Sequence, residues 1–269
     1  MRGRSIFQIF FEMKRGFYNI LAAQFLSSLA DNALLIAAIA LLASIQAPDW
    51  MTPLLKLFFV VSYVVLAAWV GIFADLMPKG RVMFITNAVK VGGCLLMLFG
   101  SHPLLSYAVV GIGAAAYSPA KYGILTELLP PEKLVVANGW IEGLTVVSII
   151  LGVVLGGVLI KPEVAGFILE TLHLPAIGLD TDPEAALVMV GIIYALAAAV
   201  NLTIPATGVR YARPNFEPIA SIKNFIQSCS LLWHDKLGQI SLSVTTLFWG
   251  AGAVLQFLVL KWAEQALGM

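Results

Sequence analysis

The sequence predicts an all-α protein, a polytopic bundle of membrane-spanning helices, and three observations carry that reading. The 269 residues are 60% hydrophobic and only 12% charged, with mean hydropathy +0.92, whereas soluble domains hold about 25% charged residues. Apolar stretches of roughly twenty residues or more recur along the chain, each long enough to cross a ~30 Å hydrocarbon layer as a helix. Basic residues gather in alternate connections, the pattern that orients multi-span proteins. The formal net charge of +1 offers no footprint for nucleic acid.

At the start, Glu12, Lys14 and Arg15 interrupt MRGRSIFQIFFEMKRG before it builds the apolar core of a cleaved signal peptide. Phe7, Phe10 and Phe11 among basic side chains predict a short interfacial segment instead. The first span is Phe17–Ser44, followed by a loop holding Pro48, Asp49 and Trp50. The second is Pro53–Asp75 and the third Val82–Gly100, from which Ser101, His102 and Pro103 turn into the fourth, Leu104–Leu129. Pro130 and Pro131 stop that helix. The fifth span is Leu134–Ile160, and the acidic connection 161–184 carries a short helix at Val164–Leu172. The sixth, Ala185–Ile204, ends at Pro205. In the basic connection that follows, Ile219, Ile222, Phe225, Ile226, Cys229 and Trp233 recur at helical spacing and predict an amphipathic surface helix. The seventh span is Ile240–Trp262. Cys94 lies in an apolar run and Cys229 in a polar connection, so no disulfide framework is implied.

Arg2, Arg4, Lys14, Arg15, Lys79, Arg81, Lys133, Arg210, Arg213, Lys223 and Lys236 fall on one side of this layout, while the opposite loop carries Glu163, Glu170, Asp180, Asp182 and Glu184. The positive-inside rule therefore puts the N-terminus in the cytoplasm. Four segments result: a cytoplasmic interfacial N-terminus (1–16), a six-helix transporter half (17–206), a cytoplasmic linker with an amphipathic helix (207–238), and a seventh transmembrane helix (239–269). Six spans, a linker and one more span suggest half of a duplicated transporter and the start of its second half. A chain ending there is expected to be truncated and, as it stands, inactive in transport.

Charges inside spans mark candidate function, because each costs roughly 2.5–3.5 kcal/mol at mid-membrane unless paired or wetted. Asp31 is near the middle of the first span, and Gln24, Ser27, Ser28 and Asp31 share one helical face. Lys121 lies in the fourth span about three turns from its cytoplasmic end, at a depth Asp31 also reaches. The two charges form either a structural ion pair or a pair of free groups that meet a zwitterionic or ionic substrate. Pro119 can kink the helix beside Lys121 and turn carbonyls toward a cavity. Asn138, Glu142 and Thr145 stripe the fifth span, with Glu142 either in that cavity or snorkelling to the interface. Thr245, Trp249, Gly252 and Gln256 stripe the seventh. Lys90, in the third span, has no evident partner, is expected to snorkel and is given no role. Gly139, Gly143, Gly152, Gly156 and Gly157 permit close helix approach.

The loop after the second span holds Gly71, Asp75, Gly80 and Arg81, which suits a charge latch between neighbouring helices. It resembles the signature between the second and third helices of the major facilitator superfamily, with a longer Asp75-to-Gly80 interval and no second basic residue after Arg81. The blocks QFLSSLADNAL (24–34), FADLMPKGRVM (73–83), AAAYSPAKYGILTELLP (114–130), ANGWIEG (137–143) and LFWGAGAVLQF (247–257) resemble the bacterial lysophospholipid transporter family within that superfamily. The resemblance implies a major facilitator bundle that moves lysophospholipids, chiefly lysophosphatidylethanolamine, across the inner membrane of a Gram-negative bacterium for reacylation. It implies membrane lipids and an acyltransferase–acyl-carrier synthetase as partners, and no cofactor or metal. Against that substrate, Lys121 is the candidate for the phosphate and Asp31 for the ammonium, with Gln24, Asn32, Ser118, Tyr122, Glu142 and Gln256 as lesser contacts. Gly71, Asp75, Gly80 and Arg81 form the conformational latch.

Two other transport readings stay open on the residues alone: a carrier of a small polar solute or drug, and a shortened chain without transport. Enzyme chemistry finds no support. His102, His173 and His234 lie in connections, none with an Asp five residues on, and no nucleophile elbow, phosphate loop or metal-ligand cluster is present.

Overall fold

The computed structural model describes residues 13, 15–209, 211 and 217–267, and it divides into two units, Met1–Pro214 and Asn215–Met269. The interfacial segment expected around Phe7, Phe10 and Phe11, like Arg210 and Arg213, lies outside the described residues. The first unit contains α1 (Arg15–Ser44), α2 (Met51–Asp75), α3 (Lys79–Leu98), α4 (Pro103–Leu128), α5 (Pro131–Leu159), a short α6 (Pro162–Thr171), a 3-10 turn (Leu174–Ile177) and α7 (Asp182–Leu202). The second contains α8 (Pro218–His234) and α9 (Lys236–Leu267), with the Asp235 carboxylate accepting from Gly238 N at 2.7 Å in the break between them.

Proline sets most of the starts. Pro103, Pro131, Pro162, Pro183 and Pro218 each sit in the first turn of a helix, where a missing N–H costs nothing. Thr181 and Glu184 close a capping box on α7. Among the described residues, six helices are long and apolar enough to cross a membrane: α1, α2, α3, α5, α7 and the stretch Lys236–Ala263 of α9. The chain is a multi-pass membrane protein. The fourth expected span, α4, has the length at 26 residues but is diluted by Ser, Tyr, Gly, Pro and Lys. It packs along both α2 and α3 and touches α1, and a helix screened from lipid by its neighbours need not be apolar all round.

The extensive helix pairs are α1 with α5 and α7, α4 with α2 and α3, and α3 with α7. Exchanging α1 with α4, α2 with α5 and α3 with α7 returns the same set. Short connections make α1 and α4 run in opposite directions, so the unit is two inverted three-helix repeats, with α1·α4 and α3·α7 on the pseudo-axis. Glycine fixes the spacing. A Cβ on Gly152 or Gly156 of α5 would stand 2.6 Å from Leu29 O and 2.8 Å from Ala33 O of α1. On α4, a Cβ on Gly111 would stand 2.6 Å from Phe59 O of α2, and one on Gly113 2.6 Å from Thr86 O of α3. Of the other α5 glycines, Gly139, Gly143 and Gly157 meet nothing within 4 Å, so only part of the expected small-residue stripe is a packing seam.

Candidate functional site

The Asp31 carboxylate is held from two helices. Lys90 Nζ of α3 reaches its two oxygens at 2.8 and 2.9 Å, and the Tyr194 hydroxyl of α7 donates to Oδ1 at 2.7 Å. Lys90 also donates to Ser27 Oγ at 2.9 Å, and Ser27 donates onward to Asn87 Oδ1 at 2.8 Å. The rings of Tyr117 and Tyr194 each lie 5.4 Å from the ammonium. The Tyr107 hydroxyl points at Asp31 O, 3.5 Å away.

This corrects the sequence reading of Lys90. It is 1% exposed, it does not snorkel, and it rather than Lys121 is the ionic partner of Asp31. The reason is depth: eleven residues beyond the start of α3, it is ~16 Å into the membrane, too far for a lysine stem to reach water. Room for the stem comes from Gly113, where a Cβ would stand 2.8 Å from Lys90 Cγ. The signal was present, since Asn87, Lys90 and Cys94 recur at helical spacing as Ser27 and Asp31 do.

Lys121 is 7% exposed, and among the described residues it makes no hydrogen bond or ion pair. Its ammonium rests 4.3 Å from the ring centroid of Tyr122, whose hydroxyl donates to Glu142 Oε1 of α5. On the same flank Gln24 Nε2 of α1 donates to Thr145 Oγ1 of α5 at 3.0 Å. Lys121, Tyr122, Glu142, Gln24 and Thr145 therefore make a polar cluster where α1, α4 and α5 meet. Asn32 and Ser118 turn back onto their own helices, donating to Ser28 O at 2.8 Å and Ala114 O at 3.3 Å. Gln256 belongs to α9 in the second unit.

At the signature loop the basic partner is Lys79. Its ammonium pairs with Asp75, donates to Ala74 O at 3.0 Å, lies 4.0 Å from Glu127 Oε1 and sits 4.5 Å from the ring of Tyr211. Arg81, expected to serve the latch, is exposed, as is Gly71, which has open space around it. Gly80 backs onto α7, where an added Cβ would stand 3.1 Å from Asn201 O. Thr207 and Tyr211, in the segment after α7, both donate to Glu127. That hydrogen bond, more than partial burial, holds the Tyr211 hydroxyl above its ordinary pKa. A cavity of about 350 Å³ opens here between Lys79, Gly80, Arg81, Glu127, Asn201 and Thr207.

Long apolar helices around a charged, tyrosine-rich interior define an integral membrane protein whose inside is built for polar groups. The chain belongs to the major facilitator superfamily, whose family profile matches residues 20–269. It is 42% identical over 257 residues to the lysophospholipid transporter LplT of Yersinia enterocolitica serotype O:8 / biotype 1B, covering 96% of this chain and 59% of that protein. Against the lysophospholipid transporters LplT of Yersinia pestis (strain Pestoides F) and Yersinia pseudotuberculosis serotype O:3 (strain YPIII), identity is 43% with the same coverage. The chain thus spans 59% of the length of these curated relatives.

Proposed function

We propose that this protein moves lysophospholipids, chiefly lysophosphatidylethanolamine, across the bacterial inner membrane, with its N-terminus in the cytoplasm. The observation that carries the reading is Lys121. A buried ammonium in no direct ion pair among the described residues is expensive in lipid, and a phosphate head group offers it a contact countercharge beyond the field of nearby Glu142. Glu142, which accepts from the Tyr122 hydroxyl, is the acidic group for the substrate ammonium. The structure engages Asp31 with Lys90 and Tyr194, so we assign Asp31 to ordering the site, and it meets substrate only where Lys90 withdraws. Gln24, Asn32 and Ser118 supply further polar contacts, and the single acyl chain rests against the apolar helix faces. Asp75, Lys79 and Gly80, rather than Arg81, form the latch at the cytoplasmic end. The imported lysolipid carries a free hydroxyl, so the reaction class that consumes it is acyl transfer, and an acyltransferase–acyl-carrier synthetase is the fitting partner.

The test is uptake of radiolabelled lysophosphatidylethanolamine by spheroplasts that lack their own lysolipid import and express the intact gene product. Lys121→Gln should cut the initial rate at least about tenfold, the effect of losing one charge-assisted contact of ~1.5–3 kcal/mol. Unchanged uptake by that variant sinks the reading. Competition by sugars or amphiphilic drugs but not by lysolipids would transfer it to a solute carrier.

A further inference from the structure

The proposed transport uses Lys121, and the Asp31 pair consumes Lys90; in the first unit Lys56 also lies inside a span. Lys56 lies five residues into α2, ~8 Å below its start, at the end of the bundle remote from the signature loop. Among the described residues it makes no hydrogen bond or ion pair. A lysine so near a helix N-terminus needs no effort to reach water, because helical side chains lean toward that end. Lys56 is nevertheless only half exposed and lies beside an aromatic ring. Its ammonium is 5.9 Å from the ring centroid of Phe59, one turn deeper. Phe59 in turn stacks 5.8 Å from Tyr63 and 5.3 Å from Tyr107, the tyrosine that points at Asp31 O. An aromatic wall therefore runs inward from a half-buried cation that makes no direct ion pair among the described residues.

We propose that Lys56 is the receiving station for the phosphate of a single-chain phospholipid at the outer end of the bundle, upstream of Lys121. This rests on the lysolipid reading above. The two lysines cannot serve one head group together. Since α2 and α4 run in the same direction, and Gly111 abuts Phe59 and Ser62, Lys56 lies above that contact and Lys121 below it. The separation along the bundle is ~22 Å at ~1.5 Å per residue, longer than a phosphoethanolamine group. Two unpaired ammonium groups, each over an aromatic ring, are successive stations on one side of the unit.

Concentration dependence of uptake separates the stations. In the same spheroplasts, Lys56→Gln should raise the half-saturating concentration of lysophosphatidylethanolamine about tenfold, Lys56→Arg should restore it, and Lys121→Gln should depress the saturating rate instead. Wild-type uptake with Lys56→Gln kinetics identical to it overturns the station while leaving the transport reading intact; absence of wild-type uptake overturns the reading itself. A binding measurement needs no transport. In nanodiscs, acylation of the Lys56 amine by an amine-reactive ester, read by mass spectrometry, should slow severalfold with lysophosphatidylglycerol, a single-chain phospholipid with no amine of its own to consume the ester, but not with monoacylglycerol. Equal rates with both lipids contradict the proposal, and protection by inorganic phosphate alone would replace the lipid by a free anion.

Discussion

At the scale of single residues the molecule distinguishes lysines that sequence position alone treats alike. Lys90 is neutralised by Asp31 and surrounded by Ser27, Tyr117 and Tyr194, whereas Lys121 and Lys56 lie over aromatic rings and make no direct ion pair among the described residues. Removing one member of a buried pair strands the other, a loss of ~3–5 kcal/mol, while removing both is far milder. Lys90→Gln and Asp31→Asn should each cost about 3 kcal/mol of thermal stability in detergent, the low end because the Asp31 side chain is 22% exposed. The double variant should lose much less than the sum, and strict additivity would mean the pair is not coupled. At the latch, Lys79→Ala should destabilise clearly more than Arg81→Ala, since Lys79 is buried against Asp75 and Glu127 and Arg81 is exposed; unfolding midpoints of the two variants check this. Asp31 stood out in the sequence because a carboxylate in an apolar run has no other reading. Its partner did not, because composition shows a charge without showing which way a helix turns it.

At the scale of elements, glycine decides which helices approach. Gly152 and Gly156 bring α5 onto the backbone of α1, so Gly152→Leu or Gly156→Leu should lower stability by ~1–3 kcal/mol through overpacking. Gly139→Leu and Gly157→Leu, which meet nothing, should stay within about 0.5 kcal/mol. Equal losses across all four would refute the seam. The helices were legible from runs of apolar residues ended by Pro130, Pro131 and Pro205. Less legible was the difference between α2, whose outward Val60, Val61, Val64 and Val65 are exposed, and α4, which its neighbours enclose. Both read as spans, and only packing shows that one presents an exposed face and the other is largely enclosed by its neighbours.

At the scale of the whole first unit, the inverted repeat converts a chain of helices into a scaffold with α1 and α4 at its axis. The polar side chains gather on these two helices and on those that touch them. At one end Lys79 pairs with Asp75, and Thr207 and Tyr211 bind the chain leaving α7 to Glu127. The family was readable from short blocks such as SPAKYG and NGWIEG, in which the site residues Lys121, Tyr122 and Glu142 are embedded, although the contact between Tyr122 and Glu142 joins two helices and cannot be read from either block. The most direct measurement of the central claim is equilibrium binding of radiolabelled lysophosphatidylethanolamine to the purified protein in nanodiscs, compared with its Lys121→Gln variant. The account predicts an affinity at least about tenfold weaker in the variant, with monoacylglycerol bound alike by both. Equal affinity of both proteins for lysophosphatidylethanolamine would contradict it.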